Sequence, residues 1–355
     1  MQPVMYLRFP DSYHQEAVFV MPDKKFPARQ SRSVTLKDVA READVSVATV
    51  SHVVNGKARM GVEVKNRVLK VIAELGYQPN KAARSMKTGR SMTIGLILPD
   101  LRFPYFPVLA REIELVAAGR DYSVVFANTY ADSAQELKCA ERMVQLGVDG
   151  IIWFPGSQQD TIAKAVKSTP VCVVDRDLGN YDVSMPDHEQ GGRLQAEHLL
   201  TLGHKKFGII SGPKIADNMT LRVKGAIAAI AQSGQLMWEC ESGFQALSAE
   251  AVRLLREQSV TAIIAGDDLI AINICQELES LGLKVPEDVS VIGFDNISFS
   301  AVYKPSLSTI AIPLADMAKN AIEMLFDRIA NSSTARCRSI VNVALIERQS
   351  TTLKR

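Results

Sequence analysis

Five neighbouring residues in the first quarter of the chain have side chains suited to reading a double-stranded nucleic acid. His52 can donate a hydrogen bond to an acceptor on a guanine edge, whereas Val47 and Ala48 can only pack against thymine methyl groups or exclude other bases. Thr49 and Ser51 carry hydroxyls of the kind that bond phosphates, which position a protein without specifying sequence. The alternative for His52 is a packed or solvent-facing residue, but its place beside Ser51 on one helical face favours base readout.

The segment from Val34 to Asn55 has the pattern of two short helices joined by a tight turn. Thr35 and Asp38 have the spacing of a capping box. Asp44 tolerates a left-handed turn, and Ser46 is a preferred cap for the second helix. Apolar residues spaced for the inner faces of the two helices are Leu36, Val39, Ala40, Ala43, Val50, Val53 and Val54. The pattern predicts a helix-turn-helix, although any small helical hairpin could share it.

The charge distribution separates this N-terminal segment from the rest of the chain. Residues 34–90 carry eleven basic and five acidic residues, a balance of +6, while the whole chain is only +2 and the first 33 residues account for +2. Residues 91–355 therefore carry a net charge of −6. A further apolar stripe, which predicts a third helix ended by Gly76, consists of Val64, Val68, Val71, Ile72 and Leu75. A basic head on an acidic body is typical of a DNA-binding module fused to another domain.

From Thr93 onward, short apolar strands alternate with helical patterns, which indicates βαβ units and parallel sheets. Strands of one sheet are predicted at Ile94–Leu98, Ser123–Ala127, Gly150–Phe154 and Val171–Val174. Strands of a second sheet are predicted at Phe207–Ser211, Ala262–Ala265 and Val289–Phe294, with helices near Leu221–Ala231, Ala249–Arg256 and Leu269–Leu281. Two such sheets imply two lobes, with a ligand cleft outside the carboxyl ends of the strands.

Nine motifs occur in a fixed order along the chain: VTLKDVA, VSVATVSHVVN, LGYQPNKAARSMKTGRS, IGLILPD, VDGIIWFP, DHEQGG, LGHKKFGIISGP, VPEDVSVIGFDN and PSLSTI. Together they resemble the lactose/galactose repressor family of bacterial transcriptional regulators, including its purine- and ribose-repressor-like members. The resemblance covers nearly everything after residue 33. It implies an N-terminal all-α helix-turn-helix domain and an α/β periplasmic-binding-protein-like body of two parallel-sheet lobes, between which the chain crosses more than once.

The resemblance also implies a domain plan. Residues 34–79 would form the helix-turn-helix domain, 80–91 a hinge helix and linker, and 92–355 the two-lobed effector-binding and dimerisation domain. The first lobe would hold about Met92–Pro186 and the helix around Ala315–Ala330, and the second about Asp187–Ile310 and the final strand. Residues 1–33 match nothing in the family. We expect them to be disordered or to lie upstream of a later true start, with a basic minor-groove arm as the alternative.

For the DNA end, the resemblance assigns operator choice to Val47, Ala48 and His52. The segment Asn80–Met86 is similar to the family's hinge helix, and Met86 stands where the family inserts an apolar wedge between base steps. Further DNA contacts are expected from Thr35, Ser46, Thr49, Ser51, Asn55, Ala83, Arg84 and Lys87. Two such heads in a homodimer predict a pseudo-palindromic operator.

For the body, the resemblance implies a small-molecule effector between the lobes. The expected effector contacts are Tyr105, Phe106, Asp175, Arg176, Thr220, Arg222, Asp267 and Asp295. In the run MTLRVKG, Thr220 replaces the first of two family arginines, and its hydroxyl cannot reproduce a planar guanidinium fork. The alternatives are that the two carboxylates of Asp267 and Asp295 cap turns and that the two aromatic rings lie in the core.

Several function classes find no support. No GxGxxG, P-loop or GxSxG follows a strand, so we expect no enzyme and no cofactor or metal. The five scattered cysteines contain no CxxC and indicate buried thiols in a reducing compartment. No apolar run reaches the roughly 18 residues of a membrane span, and no secretion signal is evident. We therefore expect a cytoplasmic protein without a membrane partner, which also argues against a solute-binding protein for uptake.

These patterns together predict a sequence-specific DNA-binding transcriptional regulator that acts as a homodimer. It would be a repressor whose operator affinity is modulated by a small metabolite of the sugar or nucleoside/nucleobase class, bound between the two lobes. The alternative is an effector-independent or protein-modulated regulator, whose cleft would bind no metabolite.

Overall fold

The computed structural model describes residues 34–54, 61–77, 89–215, 217–331 and 335–354. The chain divides into two compact units, one running to Asn80 and the other beginning at Lys81. Within the described residues, no helix is both long and apolar enough to cross a lipid bilayer.

The N-terminal unit contains three short helices: α1 (Leu36–Glu42), α2 (Val47–Val54) and α3 (Val62–Leu75). The Thr35 hydroxyl accepts from the Asp38 main-chain nitrogen, and the Asp38 carboxylate accepts from that of Thr35. The predicted capping box is therefore confirmed. Val39, Val50 and Val68, one from each helix, are fully buried and form a small shared core.

Left-handed backbone occurs at two of the positions that the sequence pattern indicates. Asp44 has a φ of 48° in the turn between α1 and α2, and Gly76 has a φ of 61° at the end of α3. Asp44 adopts this region because its short polar side chain tolerates it, and Gly76 because it has no Cβ. The tight turn places α2 against α1 with its outer face in solvent.

The first passage through the body builds most of one lobe, here called lobe one. Its elements are β1 (Thr93–Leu98), α4 (Tyr105–Ala118), β2 (Ser123–Asn128), α5 (Ser133–Gln145), β3 (Gly150–Trp153), α6 (Ala163–Val166), β4 (Val171–Val174) and β5 (Asp182–Pro186). The strands pair in parallel, and β3 and β4 are buried along their whole length. Continuous Ile and Val runs suit such strands because helices cover both faces of a parallel sheet.

The second passage builds lobe two. Its elements are α7 (His188–Thr201), β6 (Lys206–Ser211), α8 (Asp217–Ser233), β7 (Gln235–Glu241), α9 (Ala249–Arg256), β8 (Ala262–Ala265), α10 (Asp268–Ser280), β9 (Ser290–Asp295), α11 (Ser298–Val302) and β10 (Ser308–Ala311). These strands also pair in parallel.

The chain then returns to both lobes. Helix α12 (Leu314–Ala330) packs into the core of lobe one, β11 (Arg338–Val341) extends that sheet beside β5, and β12 (Ala344–Ile346) pairs antiparallel with β10. The sheet orders are β11-β5-β4-β3-β1-β2 and β12-β10-β9-β8-β6-β7. The chain thus crosses between the lobes three times, and the predicted two-lobed parallel architecture is confirmed.

Two backbone-to-backbone contacts fix the crossing of α7 and α8. A Cβ added at Gly192 would lie 1.8 Å from the main-chain oxygen of Arg222, and one added at Gly225 would lie 1.9 Å from that of Glu189. Only glycine permits this approach. The close crossing brings Arg222 on α8 beside His188 at the start of α7.

Candidate functional site

Helix α2 displays the residues expected to read DNA. Val47, Ala48 and His52 are exposed, with 41% of Val47 accessible, while Val50 on the opposite face is fully buried. Thr49 is half-buried, as is Ser51. The expected base-reading side chains therefore share the outer face of the helix, and their contacts with DNA stay predictions.

Two of the expected DNA contacts, Thr35 and Ser46, also serve as helix caps. Thr35 takes part in the capping box of α1, and the Ser46 hydroxyl accepts from the Thr49 main-chain nitrogen at 3.1 Å. The Ser46 and Thr49 hydroxyls lie 2.9 Å apart. The remaining expected DNA contacts lie outside the described residues: Asn55, Ala83, Arg84, Met86 and Lys87.

In the body, a cavity of about 250 Å³ lies between the lobes. Its walls come from the segments that follow the carboxyl ends of strands in both sheets, where a parallel α/β fold places its ligands. The aromatic wall residues are Phe103, Tyr105, Phe106, Phe154 and Phe244. The carboxyl and guanidinium groups of the cavity lining belong to Asp100, Asp175, Arg176, Arg222, Asp267, Asp268 and Asp295. Apolar walls with a few convergent polar groups are typical of a small-molecule site.

Lobe one supplies most of the apolar wall. The rings of Phe106 and Phe154 are 4.8 Å apart and nearly perpendicular, and Tyr105 packs edge-on against both. Phe103 contacts Phe244 of lobe two with ring centroids 5.5 Å apart. The predicted ligand-facing positions of Tyr105 and Phe106 thus lie at the cavity, while both rings also pack against the core of lobe one.

Asp175 is the polar centre of the lobe-one side. It has a φ of 77°, and its carboxylate accepts from Asn218 Nδ2 at 2.9 Å and from Arg176 at 3.2 Å. Burial opposes its ionisation, but the contacts with His188, Arg176 and Arg222 outweigh burial and lower the pKa of Asp175 below its usual value. The carboxylate is therefore charged and already well supplied with donors.

Arg222 is held in place by groups on every side. Its guanidinium donates to the Gly266 main-chain oxygen at 2.6 Å and through Nε to His188 Nδ1 at 3.3 Å, and it lies 3.7 Å above the Phe294 ring. A guanidinium can only donate, so His188 accepts at Nδ1 and carries its ring proton on Nε2, 2.9 Å from the main-chain oxygen of Asp175. The same guanidinium forms an ion pair with Asp295 at 3.1 Å.

Two further carboxylates line the lobe-two side. Asp267 caps α10 by accepting from the Ile270 main-chain nitrogen at 2.7 Å, so it both caps a helix and lines the cavity. Burial and then the nearby Asp295 charge raise the pKa of Asp267 to about 7. Burial also raises the pKa of Asp295, against the opposing effect of Arg222. Asp295 sits at the end of β9 with a φ of 95°, in the left-handed region.

The Asp268 carboxylate stabilises the turn that follows β9 at Asp295. It accepts from the Ile297 main-chain nitrogen at 2.8 Å and from the Thr309 hydroxyl at 2.6 Å. Burial raises the pKa of Asp268 well above its usual value. Because Ile297 follows Asp295 by two residues, these bonds hold the Asp295 turn in its left-handed conformation.

Several contacts join the two lobes around the cavity. Asn218 of lobe two donates to Asp175 of lobe one, and the main-chain nitrogen of Gln158 donates to the Ile215 oxygen at 3.3 Å. The Gln158 side chain donates to the Asp177 main-chain oxygen at 2.7 Å within lobe one and accepts from Asp217 of lobe two at 3.4 Å. These hydrogen bonds hold the two lobes together beside the cavity.

The expectation for Thr220 is wrong. Its side chain is exposed on α8 and is not part of the cavity lining. Residues four apart share a helical face, so Asn218 and Arg222 both face the cavity, while Thr220, two residues from each, lies on another face. Asn218 and Arg222 are four residues apart in the sequence, and this spacing on one helix could have identified Asn218 as a cavity residue.

Sequence reasoning also missed several other cavity residues. Phe103, Phe154, Phe244 and Asp268 line the cavity, and His188 supports it through Arg222 and Asp175. Phe154 directly follows β3, and Asp268 begins α10 three residues after the end of β8, so both positions near strand ends could have identified them. Phe103 and Phe244 lie in loops whose course no local pattern predicts.

Comparisons with known proteins agree with this geometry. Residues 35–80 match the family described as bacterial regulatory proteins, lacI family, and residues 196–351 match a periplasmic binding protein-like domain. The chain is 33% identical over 308 residues to catabolite control protein A of Priestia megaterium, covering 82% of this chain and 92% of that protein. It is 32% identical over 309 residues to the ribose operon repressor of Haemophilus influenzae, covering 84% and 92%.

A solved structure is similar over almost the whole described chain. The lac repressor dimer bound to operator and the anti-inducer ONPF superposes with a TM-score of 0.80 at 26% sequence identity. The similarity covers 90% of this chain and 100% of that one. The likeness therefore includes both the helix-turn-helix and the two-lobed body.

Proposed function

Because the chain belongs to the lacI family of bacterial regulatory proteins, we propose that it represses transcription as a homodimer whose operator affinity is set by a small metabolite bound between its lobes. The two α2 helices of the dimer read the half-sites of a pseudo-palindromic operator, with Val47, Ala48 and His52 facing the bases. The repressor acts in the cytoplasm, where a bacterial operator is accessible.

The effector part of this proposal rests on one observation. The interlobe cavity is built from both lobes, and its polar contacts link them directly, as in the Asn218–Asp175 hydrogen bond. A metabolite of the sugar or nucleoside/nucleobase class that engages both walls favours the closed lobes over open ones. The relatives' names and the bound anti-inducer of the lac repressor structure support such a ligand. A binding energy that differs between the two lobe arrangements is what an allosteric effector requires.

Residues 80–91 would transmit this change to the DNA-reading heads. Their basic sequence and their similarity to the family's hinge segment support a helix that orders in the minor groove, with Ala83 and Met86 against the bases and Arg84 and Lys87 on the phosphates. Changing the spacing of two such segments at the dimer interface alters their order. Coupling of this kind typically amounts to about 1–3 kcal/mol between the two sites.

The experiment has two steps. Operators are first selected from a pool of random double-stranded DNA with the purified full chain, and the affinity for the selected operator is measured by fluorescence anisotropy. The measurement is then repeated with sugars, nucleosides and nucleobases, and we expect one compound class to change the affinity roughly 5- to 150-fold. The Thr220→Ala variant is the matched control, because Thr220 lies outside the cavity.

Two outcomes contradict the proposal in different ways. An operator that is bound with an affinity that no metabolite changes favours an effector-independent or protein-modulated regulator. Failure to enrich any DNA sequence removes the repressor assignment itself.

A further inference from the structure

One carboxylate holds the chain where the expected linker, residues 80–91, joins β1. Asp149 Oδ1 accepts from the Ser91 main-chain nitrogen at 2.7 Å and from the Ser91 hydroxyl at 3.0 Å. Asp149 Oδ2 accepts from the Met92 main-chain nitrogen at 3.0 Å. Hydrogen bonds from main-chain N–H groups to a carboxylate are among the strong ones in proteins. Ser91, Met92 and Asp149 together form a contact that we call the linker anchor.

The anchor imposes an unfavourable backbone conformation on Met92. The φ of Met92 is 53°, in the left-handed region, where a residue with a Cβ is crowded. Its main chain is held at both ends, because its nitrogen donates to Asp149 and its oxygen accepts from the Ser123 nitrogen at 2.9 Å. A conformation of this kind persists where surrounding contacts impose it, and such positions cluster at functional sites. Loss of the Asp149 carboxylate therefore removes a contact that keeps Met92 in this conformation.

Arg90 lies beside the same carboxylate. Burial and then the Asp149 charge raise the pKa of Tyr122, whereas the Arg90 guanidinium acts in the opposite direction. Tyr122 is buried and Arg90 is exposed, so the arginine approaches this group from the surface. Three consecutive residues of the chain, from 90 to 92, are therefore positioned around Asp149.

Two strands run from the linker anchor to the interlobe cavity. Met92 precedes β1 and Asp149 precedes β3, and these strands are parallel neighbours in the sheet of lobe one. Beyond their carboxyl ends, the chain reaches Asp100 and Phe154 in the cavity lining. A strand rises roughly 3.3 Å per residue, so the six residues of β1 span about 20 Å. The linker anchor and the cavity wall thus lie at opposite ends of the same pair of strands.

The packing around these strands suits them to move as one body. Strand β3 is buried along its whole length, and β1 is buried after Thr93. A Cβ added at Gly150 would lie 2.8 Å from Leu325 of α12, and one added at Gly95 would lie 2.9 Å from Met143 of α5. Helices are therefore pressed against the strands, and close-packed interiors transmit displacement. A movement of the cavity wall in lobe one carries the linker anchor with it.

We infer that Asp149 is a positioning residue, which fixes the direction in which the linker leaves lobe one and thereby the spacing at which the two heads of a dimer bind their half-sites. This inference rests on the proposed function, because it assigns the residue through which the effector-binding lobe controls the linker. Loss of the anchor leaves the cavity and α2 unchanged, but it lets the linker leave the lobe in more than one direction.

The test measures operator affinity against half-site spacing, with the purified full chain and fluorescence anisotropy. The selected operator is compared with versions that have one base pair inserted or removed at the centre, because dimeric helix-turn-helix proteins require a set spacing. We expect the parent chain to bind the altered operators about tenfold more weakly. Asp149→Ala should bind the selected operator about tenfold more weakly than the parent, the size of one lost hydrogen bond to a charged group. It should also distinguish the three spacings much less than the parent does.

Two further variants separate positioning from folding. Asp149→Asn keeps one acceptor oxygen for Ser91 but presents an amide donor to the Met92 nitrogen, so we expect an intermediate loss of spacing discrimination. Asp132→Ala is the matched control, because the Asp132 carboxylate accepts from two main-chain nitrogens of α5 and follows the carboxyl end of β2, away from the anchor. Melting temperatures should fall in both alanine variants, whereas spacing discrimination should change only in Asp149→Ala.

Two outcomes overturn the inference alone. One is an Asp149→Ala protein that distinguishes the three spacings as sharply as the parent, and the other is an equal loss of discrimination in Asp132→Ala. If Asp149→Ala does not fold, Asp149→Asn decides by the same criterion. Failure of the parent to select any operator is a different result, because it removes the proposed function and the inference falls with it.

Discussion

At the scale of single residues, His52 is the polar one of the three α2 residues that we expect to face the bases. Val47 and Ala48 offer only apolar contact, whereas His52 is exposed and can donate to a base edge. His52→Ala should therefore relax the preference at one base pair of each half-site by roughly 1–3 kcal/mol. Binding to a set of single-substitution operator variants measures this effect, and an unchanged profile would remove His52 from base readout.

Asn218 and Thr220 form a matched pair on α8. Asn218→Ala removes a buried hydrogen bond to the charged carboxylate of Asp175, a contact of the kind that contributes about 1.5–3 kcal/mol. We expect effector affinity to fall roughly tenfold to hundredfold, since a tenfold change is 1.4 kcal/mol. Thr220→Ala should have no effect in the same calorimetric titration. A loss of affinity in Thr220→Ala comparable to that of Asn218→Ala would restore Thr220 to the site.

Asp267 should make the stability of the unliganded body depend on pH. Its pKa is raised in the folded protein, first by burial and then by Asp295, so the folded state holds a proton that the unfolded state releases. The stability that this proton provides is present at low pH and is lost as the pH rises from about 4 through about 7. Its size is on the order of a few kcal/mol.

The Asp267→Asn variant supplies the reference for this dependence. The melting temperature of the parent protein should fall relative to that of the variant as the pH rises from 4.5 to 7, and the difference should level off above that. Parallel curves for the two proteins would show that Asp267 titrates in its ordinary range.

At the scale of elements, α7 and α8 cross so closely that the contact requires glycine at positions 192 and 225. Gly192→Ala would place a methyl group 1.8 Å from the Arg222 main-chain oxygen, so the helices must separate. We expect a loss of about 3 kcal/mol in the free energy of unfolding, measured by denaturant titration. The displaced Arg222 should also weaken effector binding.

The control for this variant is a glycine with room for a methyl group. A Cβ added at Gly119, which follows α4 with an ordinary φ of −60°, would lie 3.5 Å from its nearest neighbour. Gly119→Ala should change stability by no more than about 0.5 kcal/mol. Equal losses in the two variants would mean that the helix crossing is looser than described.

The elements also show what could be predicted from the sequence. Strands such as β4 and β8 were predicted at their observed bounds because apolar runs between turns are local signals. Strands β5, β7, β10 and β11 were missed, since they are short or carry polar residues and are defined by the neighbours they pair with.

The residues of the candidate site also fall into those that local sequence identifies and those that depend on how distant segments pack. Asp295 is the last residue of β9, and Asp175 and Asp267 lie one and two residues after β4 and β8, so all three could be identified locally. Motif position points to Thr220, but the helical period of α8 turns Thr220 to solvent and brings Asn218 to the cavity. The approach of Phe103 to Phe244 depends on how the lobes meet, which no local pattern contains.

At the scale of the whole molecule, residues 1–33 match nothing in the family and contribute only +2 to the charge. We expect deletion of Met1–Gln30 to leave operator affinity unchanged, because the capping box at Thr35 and the core of the head remain complete. Fluorescence anisotropy with the selected operator measures this. A large loss of affinity that grows weaker at high salt would identify a basic arm on the DNA.

The N-terminal head and the two lobes differ in how many stretches of the chain build them, and this difference limits which parts can be exchanged by recombination. The head is one contiguous stretch that ends near Asn80, so a single recombination event can join it to another body. Each lobe is assembled from separated stretches, because α12 and β11 belong to the first lobe and follow almost all of the second. No single cut excises a lobe. A single exchange can therefore pair a head with a different complete body, whereas one wall of the cavity cannot be replaced by one exchange and changes by substitution.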